Sequence, residues 1–167
     1  VFPSPEALAE ALGARGVACK PEELCLPHWE PPAFVGTAVD YPLVLMPYRA
    51  MNYAEGGVRH QKRLRQMPLV PGMNPGAPRI ELNPVDAKAL GLHNGQWVRV
   101  ETGAGSQVLT LRVHRGTRPG TASLPLGLGH WPPVPDEPPQ GGYALLALTS
   151  DPLAGIFAAQ GTRARIV

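Results

Sequence analysis

The sequence contains none of the short motifs that carry a catalytic mechanism of their own. The HExxH, GxSxG, P-loop and GxGxxG patterns are all missing. The five histidines are scattered along the chain, without the spacing of metal ligands. The sequence therefore predicts no catalytic residue and no metal ligand in this chain.

Long apolar runs, aromatic residues and net charge are also scarce. The longest strand-like apolar run, residues 43–46, is far shorter than the roughly 18 residues of a membrane-spanning helix, so no direct membrane insertion is expected. Aromatic residues make up 6% of the chain and the formal net charge is +2, which argues against a nucleic-acid partner. The chain has two cysteines, Cys19 and Cys25, and their spacing favours unpaired thiols over a disulfide or a metal site.

The first residues also lack two features of a natural N-terminus. The start, Val-Phe-Pro, has no methionine and no basic region before an apolar one. We therefore expect no signal peptide here, and a chain that is a fragment or a processed piece of something longer.

Glycine and proline are abundant instead, with 19 and 21 residues in a chain that is 44% hydrophobic. This composition predicts short strands joined by many ordered turns. Residues 3–16 predict a helix, because Ser4 is a good N-cap and Pro5 suits the first helical position. Four prolines in residues 17–40 predict an extended arm, so we divide the chain into an N-terminal helix with its Pro-rich arm, residues 1–40, and a main domain, residues 41–167.

The main domain alternates strand patterns with turns. Residues 41–49 predict a strand that leads into a polar loop with Tyr48, Arg49 and Asn52, and its continuous apolar run indicates protein on both faces of the strand. One short helix is predicted over residues 84–90, since Asn83 can cap it and Pro84 can begin it. Further strands are expected over residues 79–82, 96–101, 107–113, 121–126 and 161–167. Residues 127–142 are predicted to form a loop long enough to suggest a function.

The order of these segments carries a family resemblance. The sequence reads YPLVL at residues 41–45, NPVDAKALGLHNGQWVRVETGAG at residues 83–105, PGTASLPLGLGH at residues 119–130 and ALLALTSDPLAG at residues 144–155. In this order the segments resemble the C-terminal molybdopterin dinucleotide-binding domain of the dimethyl sulfoxide reductase superfamily. The likeness covers residues 41–167, and it looks nearest to the tetrathionate, thiosulfate and polysulfide reductases and to a subunit of alternative complex III.

The resemblance implies a fold, a ligand and the loops that would hold it. The fold is a mainly β, six-stranded double-psi barrel with one or two short helices. The ligand is molybdopterin guanine dinucleotide, carrying molybdenum or tungsten in the full enzyme. Such a long, doubly phosphorylated ligand needs cations, Gly-rich backbone and planar polar side chains. The implied cofactor-binding residues are Tyr48, Arg49, Asn52, His60, Gly127, Gly129, His130 and Trp131.

The implied activity belongs to a larger assembly. The resemblance predicts an oxidoreductase of anaerobic respiration that acts on a sulfur compound or a similar oxyanion. Its expected partners are the rest of its own polypeptide, an iron–sulfur electron-transfer subunit and a membrane anchor subunit, in a complex on the periplasmic face of a prokaryotic membrane. This chain alone is not expected to turn over a substrate.

Three departures from the family pattern keep other interpretations open. Relatives often begin the first loop with Thr-Gly-Arg, where this chain has Pro47-Tyr48-Arg49; an expected late Asn is missing near Gly142; and Ala154 replaces a Ser. Each departure removes a polar contact expected to hold the cofactor. A cofactor-less scaffold domain of a quinol-oxidising complex is therefore the alternative, and a free-standing barrel used as a binding module is a third hypothesis.

Overall fold

The computed structural model describes residues 4–24, 32–50, 57, 61, 63, 78–128, 141–150, 157–158 and 161–167. The chain separates into two compact units, one formed by residues 1–33 with 149–158, and the other by residues 34–148 with 159–167. None of the helices in these described ranges has the length and apolar character needed to cross a membrane. Cys19 is a free thiol, and Cys25 lies outside the described residues. The predicted domain boundary at residue 40 stays a prediction.

The smaller unit contains the predicted N-terminal helix, α1 (Pro5–Gly13). Ser4 caps it as expected, with its hydroxyl accepting a hydrogen bond from the Ala7 backbone N–H at 3.3 Å. A 3-10 helix follows at Pro21–Leu24. The same unit holds a two-stranded antiparallel sheet of β6 (Thr149–Ser150) and β7 (Phe157–Ala158).

The larger unit is a closed six-stranded barrel. Its strands are β1 (Leu43–Arg49), β2 (Arg79–Leu82), β3 (Trp97–Thr102), β4 (Ser106–Val113), β5 (Thr121–Leu126) and β8 (Arg163–Ile166). They pair in the order β1-β5-β2-β4-β3-β8. The β1–β5 and β2–β4 pairs are parallel, and the other pairs are antiparallel. The six-stranded mixed barrel is confirmed, whereas its double-psi character stays a prediction.

Alternating side chains fill the barrel. The fully buried set includes Leu45, Ile80, Leu82, Val100, Leu109, Leu111 and Leu124. Burial of each such side chain contributes roughly 1.5–3 kcal/mol. Strands β3 and β4 alternate as the sequence predicted, with Val98 and Val100 buried and Trp97 64% exposed.

The expectation for β1 was wrong in one respect. Leu43 and Leu45 are buried, but Met46 on the opposite face is 41% exposed. A barrel strand has only its inner face in the core, so a continuous apolar run does not require cover on both faces.

The NPVDA segment begins helix α2 (Pro84–Ala89) and anchors a turn. The Asn83 carboxamide oxygen accepts from the Val85 N–H at 2.9 Å, while its Nδ2 donates to the Thr117 carbonyl at 2.7 Å. Asp86 accepts from the Gly120 N–H at 2.9 Å. Gly91 follows the helix with φ +68°, as a C′ glycine should. Two side chains of the helix start therefore hold the turn that leads into β5.

A second 3-10 helix, Gly142–Leu145, packs against the barrel beside the β3–β4 hairpin turn. Thr102 ties the two together, since its hydroxyl donates to the Leu145 carbonyl at 2.9 Å and accepts from the Ala104 N–H at 3.1 Å. Leu145 is fully buried.

Candidate functional site

The candidate site is the end of the barrel where β1 and β5 finish. The two strands are parallel neighbours, with Tyr48 opposite Pro125 and Arg49 opposite Leu126. Because parallel strands end on the same side of a sheet, the chain segments that follow Arg49 and Leu126 leave the barrel side by side. These are the two segments in which the sequence predicted cofactor contacts.

The backbone at this end is well packed. Ala50 and Leu128 are 3% and 2% exposed and form a small buried cluster, against which Tyr48 packs. Gly127, which precedes Leu128 in the sequence, is buried and has φ +85°, a conformation that suits a residue without a Cβ. The Arg49 side chain is exposed. The end of the barrel therefore combines a rigid base with a cationic side chain on its surface.

The structure brings three of the predicted site residues together: Tyr48, Arg49 and Gly127. The other five, Asn52, His60, Gly129, His130 and Trp131, lie outside the described residues. The role of all eight as cofactor contacts stays a prediction.

A buried charged cluster lies next to this end, on the outer face of the barrel. Glu81 is 4% exposed and its Oε1 accepts from the Tyr48 hydroxyl at 3.0 Å and from Arg112 Nη1 at 2.8 Å. Arg79 Nε lies 3.4 Å from the same oxygen and is also buried. Two guanidinium groups thus surround one carboxylate, which gives the three side chains a net positive charge.

The cluster changes the acidity of Tyr48. Burial raises the pKa of its hydroxyl above the usual 10.0, a hydrogen bond from Arg79 opposes that rise, and the negative charge of Glu81 adds to it. Tyr48 is therefore a neutral hydrogen-bond donor across the physiological pH range.

Sequence reasoning missed this cluster. The alternation in Arg79-Ile80-Glu81-Leu82 indicates that Arg79 and Glu81 share the face opposite the core. Side chains on that face are ordinarily solvated, and nothing local shows that they are buried here. The burial depends on Tyr48, 33 residues earlier in the chain than Glu81.

A cavity of about 700 Å³ lies along the outer face of β1 and β5. Tyr48 and Glu81 line it, and the 114–120 turn and Phe34 complete its lining. Within the described ranges, no group of three or more His, Cys, Asp or Glu side chains is placed to hold a metal ion.

Comparison with known proteins identifies the domain family. The family model described as "Molydopterin dinucleotide binding domain" matches residues 43–163. The chain is 29% identical over 107 residues to the arsenate respiratory reductase molybdopterin-containing subunit ArrA of Shewanella sp. (strain ANA-3), which covers 64% of the chain and 12% of that protein. It is 27% identical over 123 residues to ArrA of Chrysiogenes arsenatis, covering 73% of the chain and 14% of the relative.

Acetylene hydratase is a further relative. The chain is 32% identical over 118 residues to the enzyme of Syntrophotalea acetylenica, covering 68% of the chain and 14% of the enzyme. The solved structure of acetylene hydratase from Pelobacter acetylenicus superimposes with a TM-score of 0.65 at 24% identity, covering 87% of the chain and 22% of that structure. The chain thus spans 12–14% of the length of the curated relatives that it matches.

Proposed function

Because the chain belongs to the molybdopterin dinucleotide-binding domain family of the dimethyl sulfoxide reductase superfamily, we propose that it holds the dinucleotide at the end of the barrel where β1 and β5 finish. The observation that carries this proposal is the parallel pairing of the two strands. It places Arg49 and Gly127, which lie far apart in the sequence, at the start of neighbouring segments.

The described residues fit a long, doubly phosphorylated ligand. Arg49 is an exposed guanidinium, which can bind a phosphate through two parallel hydrogen bonds. Gly127 has no Cβ and turns the chain at a positive φ, so the backbone can approach a flat ligand closely. The cluster of Arg79, Glu81 and Arg112 adds a net positive charge beside the same strand ends.

The role of the domain is to bind and orient. When bound, the metal–pterin group supplies the redox chemistry, and the protein supplies position and electrostatics. The packed base of Ala50, Gly127 and Leu128 would fix where that group lies. We assign no catalytic residue to this chain.

The substrate class of the complete enzyme follows from the resemblance and the relatives. We propose reduction of an oxyanion or a sulfur compound, or the reverse oxidation. Two of the relatives are named as subunits of arsenate respiratory reductases, and arsenate is an oxyanion. The sulfur compound is supported by the sequence resemblance alone.

The proposed assembly has three parts beyond this domain. They are the rest of the polypeptide, an iron–sulfur subunit that carries electrons and a membrane anchor subunit, on the periplasmic face of the membrane. The short span of this chain along its relatives supports the first part. The other parts, and the location, are supported by the family resemblance.

The test compares Arg49→Ala with Arg163→Ala in the purified native protein. Arg163 is a matched control because it is also an arginine on a barrel strand, but its Cα partner is Val44, near the start of β1. Loss of a charged contact that the bound ligand buries costs roughly 2–5 kcal/mol, so Arg49→Ala should lower retained pterin by well over tenfold. Arg163→Ala should retain pterin at the wild-type level. Pterin is measured by fluorescence after oxidative release.

Two other outcomes would contradict the proposal. Equal retention in the two variants places the cofactor surface elsewhere on the domain. A native protein without any pterin supports the alternative function, a cofactor-less scaffold. The Pro47-Tyr48-Arg49 sequence favours that alternative, since the Tyr48 hydroxyl is already bonded within the domain.

A further inference from the structure

Glu81 makes an interaction that spans two strand spacings of the barrel. Strand β5 lies between β1 and β2, so the Tyr48 hydroxyl reaches across β5 to the Glu81 carboxylate. Two spacings amount to about 10 Å. The bond therefore ties β1 directly to β2 on the outer face, over the strand that separates them.

The part of β5 beneath this bond lacks one backbone hydrogen-bond donor. The Cα partner of Tyr48 is Pro125, whose nitrogen carries no hydrogen and cannot donate to the sheet. Leu126 and Gly127 follow immediately. A side-chain bond over Pro125 holds the strand in place where a backbone hydrogen bond is missing.

The carboxylate is well suited to this task because its own position is fixed. Arg112 donates to it from β4 at 2.8 Å and Arg79 lies 3.4 Å away on β2. A hydrogen bond to an ionised acceptor is roughly twice as strong as one between neutral groups. Glu81 thus holds the Tyr48 hydroxyl with a charge that two guanidinium groups keep in place.

Tyr48 connects the fixed Glu81 carboxylate to the ends of both strands, β1 and β5. Tyr48 packs against the buried cluster that Ala50, which follows β1, forms with Leu128, which follows β5. A displaced ring would therefore move the start of both segments that the proposed function assigns to the cofactor.

We infer that Glu81 is a positioning residue for the cofactor end of the barrel, acting through the Tyr48 hydroxyl and making no contact with the cofactor itself. This inference rests on the proposed function. It differs from the sequence prediction for Tyr48, in which this residue itself contacts the cofactor.

The experiment uses Tyr48→Phe, Glu81→Gln and the double variant in the purified native protein. Tyr48→Phe keeps the ring and removes only the hydroxyl. Its retained pterin should fall by up to about tenfold, the limit set by the energy of one hydrogen bond to a charged partner. Glu81→Gln should also lower retention, and the double variant should fall no further than the more affected single variant, because both changes break the same link.

Amide hydrogen exchange of the cofactor-free protein gives a second measurement. Tyr48→Phe and Glu81→Gln should both speed exchange in residues 48–50 and 126–128, and leave the β3–β4 hairpin unchanged. Glu101→Gln is the matched control. Glu101 also pairs with an arginine of a neighbouring strand, Arg165 at 2.7 Å, and its loss should change neither pterin retention nor exchange near residue 48.

The outcomes separate this inference from the proposed function. The inference is wrong if Glu81→Gln retains pterin at the wild-type level while Tyr48→Phe loses it, or if the two effects add. It is also wrong if Tyr48→Phe changes neither retention nor exchange. In all of these cases loss of pterin in Arg49→Ala leaves the proposed function standing. A wild-type protein that holds no pterin overturns both.

Discussion

Asn83 performs two tasks with one carboxamide, and a change to aspartate separates them. Its oxygen caps helix α2 and its nitrogen donates to the Thr117 carbonyl at 2.7 Å, in a site where Asn83 is 9% exposed. An aspartate keeps the cap and suits the positive end of the helix. It also places a charged oxygen against the Thr117 carbonyl, where a donor stood before.

The expected loss of stability follows from these contacts. A hydrogen bond contributes about 0.5–1.5 kcal/mol, and an unsatisfied buried carbonyl costs about 1–3 kcal/mol. After a few tenths of a kcal/mol gained from the helix dipole, Asn83→Asp should lower the free energy of unfolding by about 2–3 kcal/mol at pH 7. Asn83→Ala should lose a similar amount, because it gives up about 1 kcal/mol of capping as well.

The two variants should differ in their response to pH. In Asn83→Asp the protonated form of the introduced carboxyl group can donate to the Thr117 carbonyl, so the folded state binds this proton more tightly than the unfolded chain does. The folded pKa of that carboxyl group is then raised above the unfolded value of about 3.9. The deficit of Asn83→Asp relative to wild type should therefore be smallest at low pH and should grow as pH rises through the folded pKa. The deficit of Asn83→Ala should stay constant.

The assay is urea unfolding of the chain, followed by circular dichroism at about pH 7.5 and about pH 4.5, on either side of the raised pKa. Asn94 provides the control, since its exposed carboxamide oxygen accepts from the Val113 N–H at 2.9 Å. An aspartate can accept in the same way, so Asn94→Asp should change stability by no more than about 0.5 kcal/mol. Equal losses in Asn83→Asp and Asn94→Asp, or a deficit in Asn83→Asp that does not depend on pH, would refute this reasoning.

Two further predictions concern single hydroxyl groups. The pKa of Tyr48 is raised in the folded state, so the stability that its protonated hydroxyl contributes is complete below the unfolded pKa of 10.0 and is lost as pH rises through the folded pKa. Tyr48→Phe should therefore reduce the loss of stability at alkaline pH, measured by urea unfolding. An unchanged alkaline loss would contradict this prediction. Thr102→Val should lower the free energy of unfolding by about 2–3 kcal/mol, because it leaves the Leu145 carbonyl and two turn N–H groups without their partner. The half-buried Thr110→Val on β4 is the comparison, and a loss as large as that of Thr102→Val would show that the Thr102 bonds are not the cause.

Local patterns predicted most of the barrel because each strand and turn is marked by a few neighbouring residues. The alternation around Val98 and Val100, the Asn83 cap and the glycine turns were all visible in the sequence. The closed six-stranded barrel itself came from the family resemblance, since no local pattern specifies that β1 pairs with β5 and β8. The expectation that protein covers both faces of β1 was wrong, because a continuous apolar run does not show whether the sheet curves into a barrel.

The candidate site was predictable only in part. Arg49 and Gly127 could be singled out from their place at the end of a strand or directly after it, together with the resemblance. The cluster around Glu81 could not, because its burial depends on contacts between four side chains from three strands. A charged residue on the outer face of a strand gives no local sign that a distant tyrosine will cover it.

The position of β1 in the barrel also bears on when the site can form during synthesis. Both of its neighbours, β5 and β8, come from the later half of the chain. A nascent chain that has emerged only as far as Val113 has β1 but neither strand to pair with it. The ribosome must therefore release residues 121–126 before Arg49 and Gly127 can meet, and residues 163–166 before the barrel closes. If the proposed site is correct, cofactor loading is a step that follows translation of the whole domain.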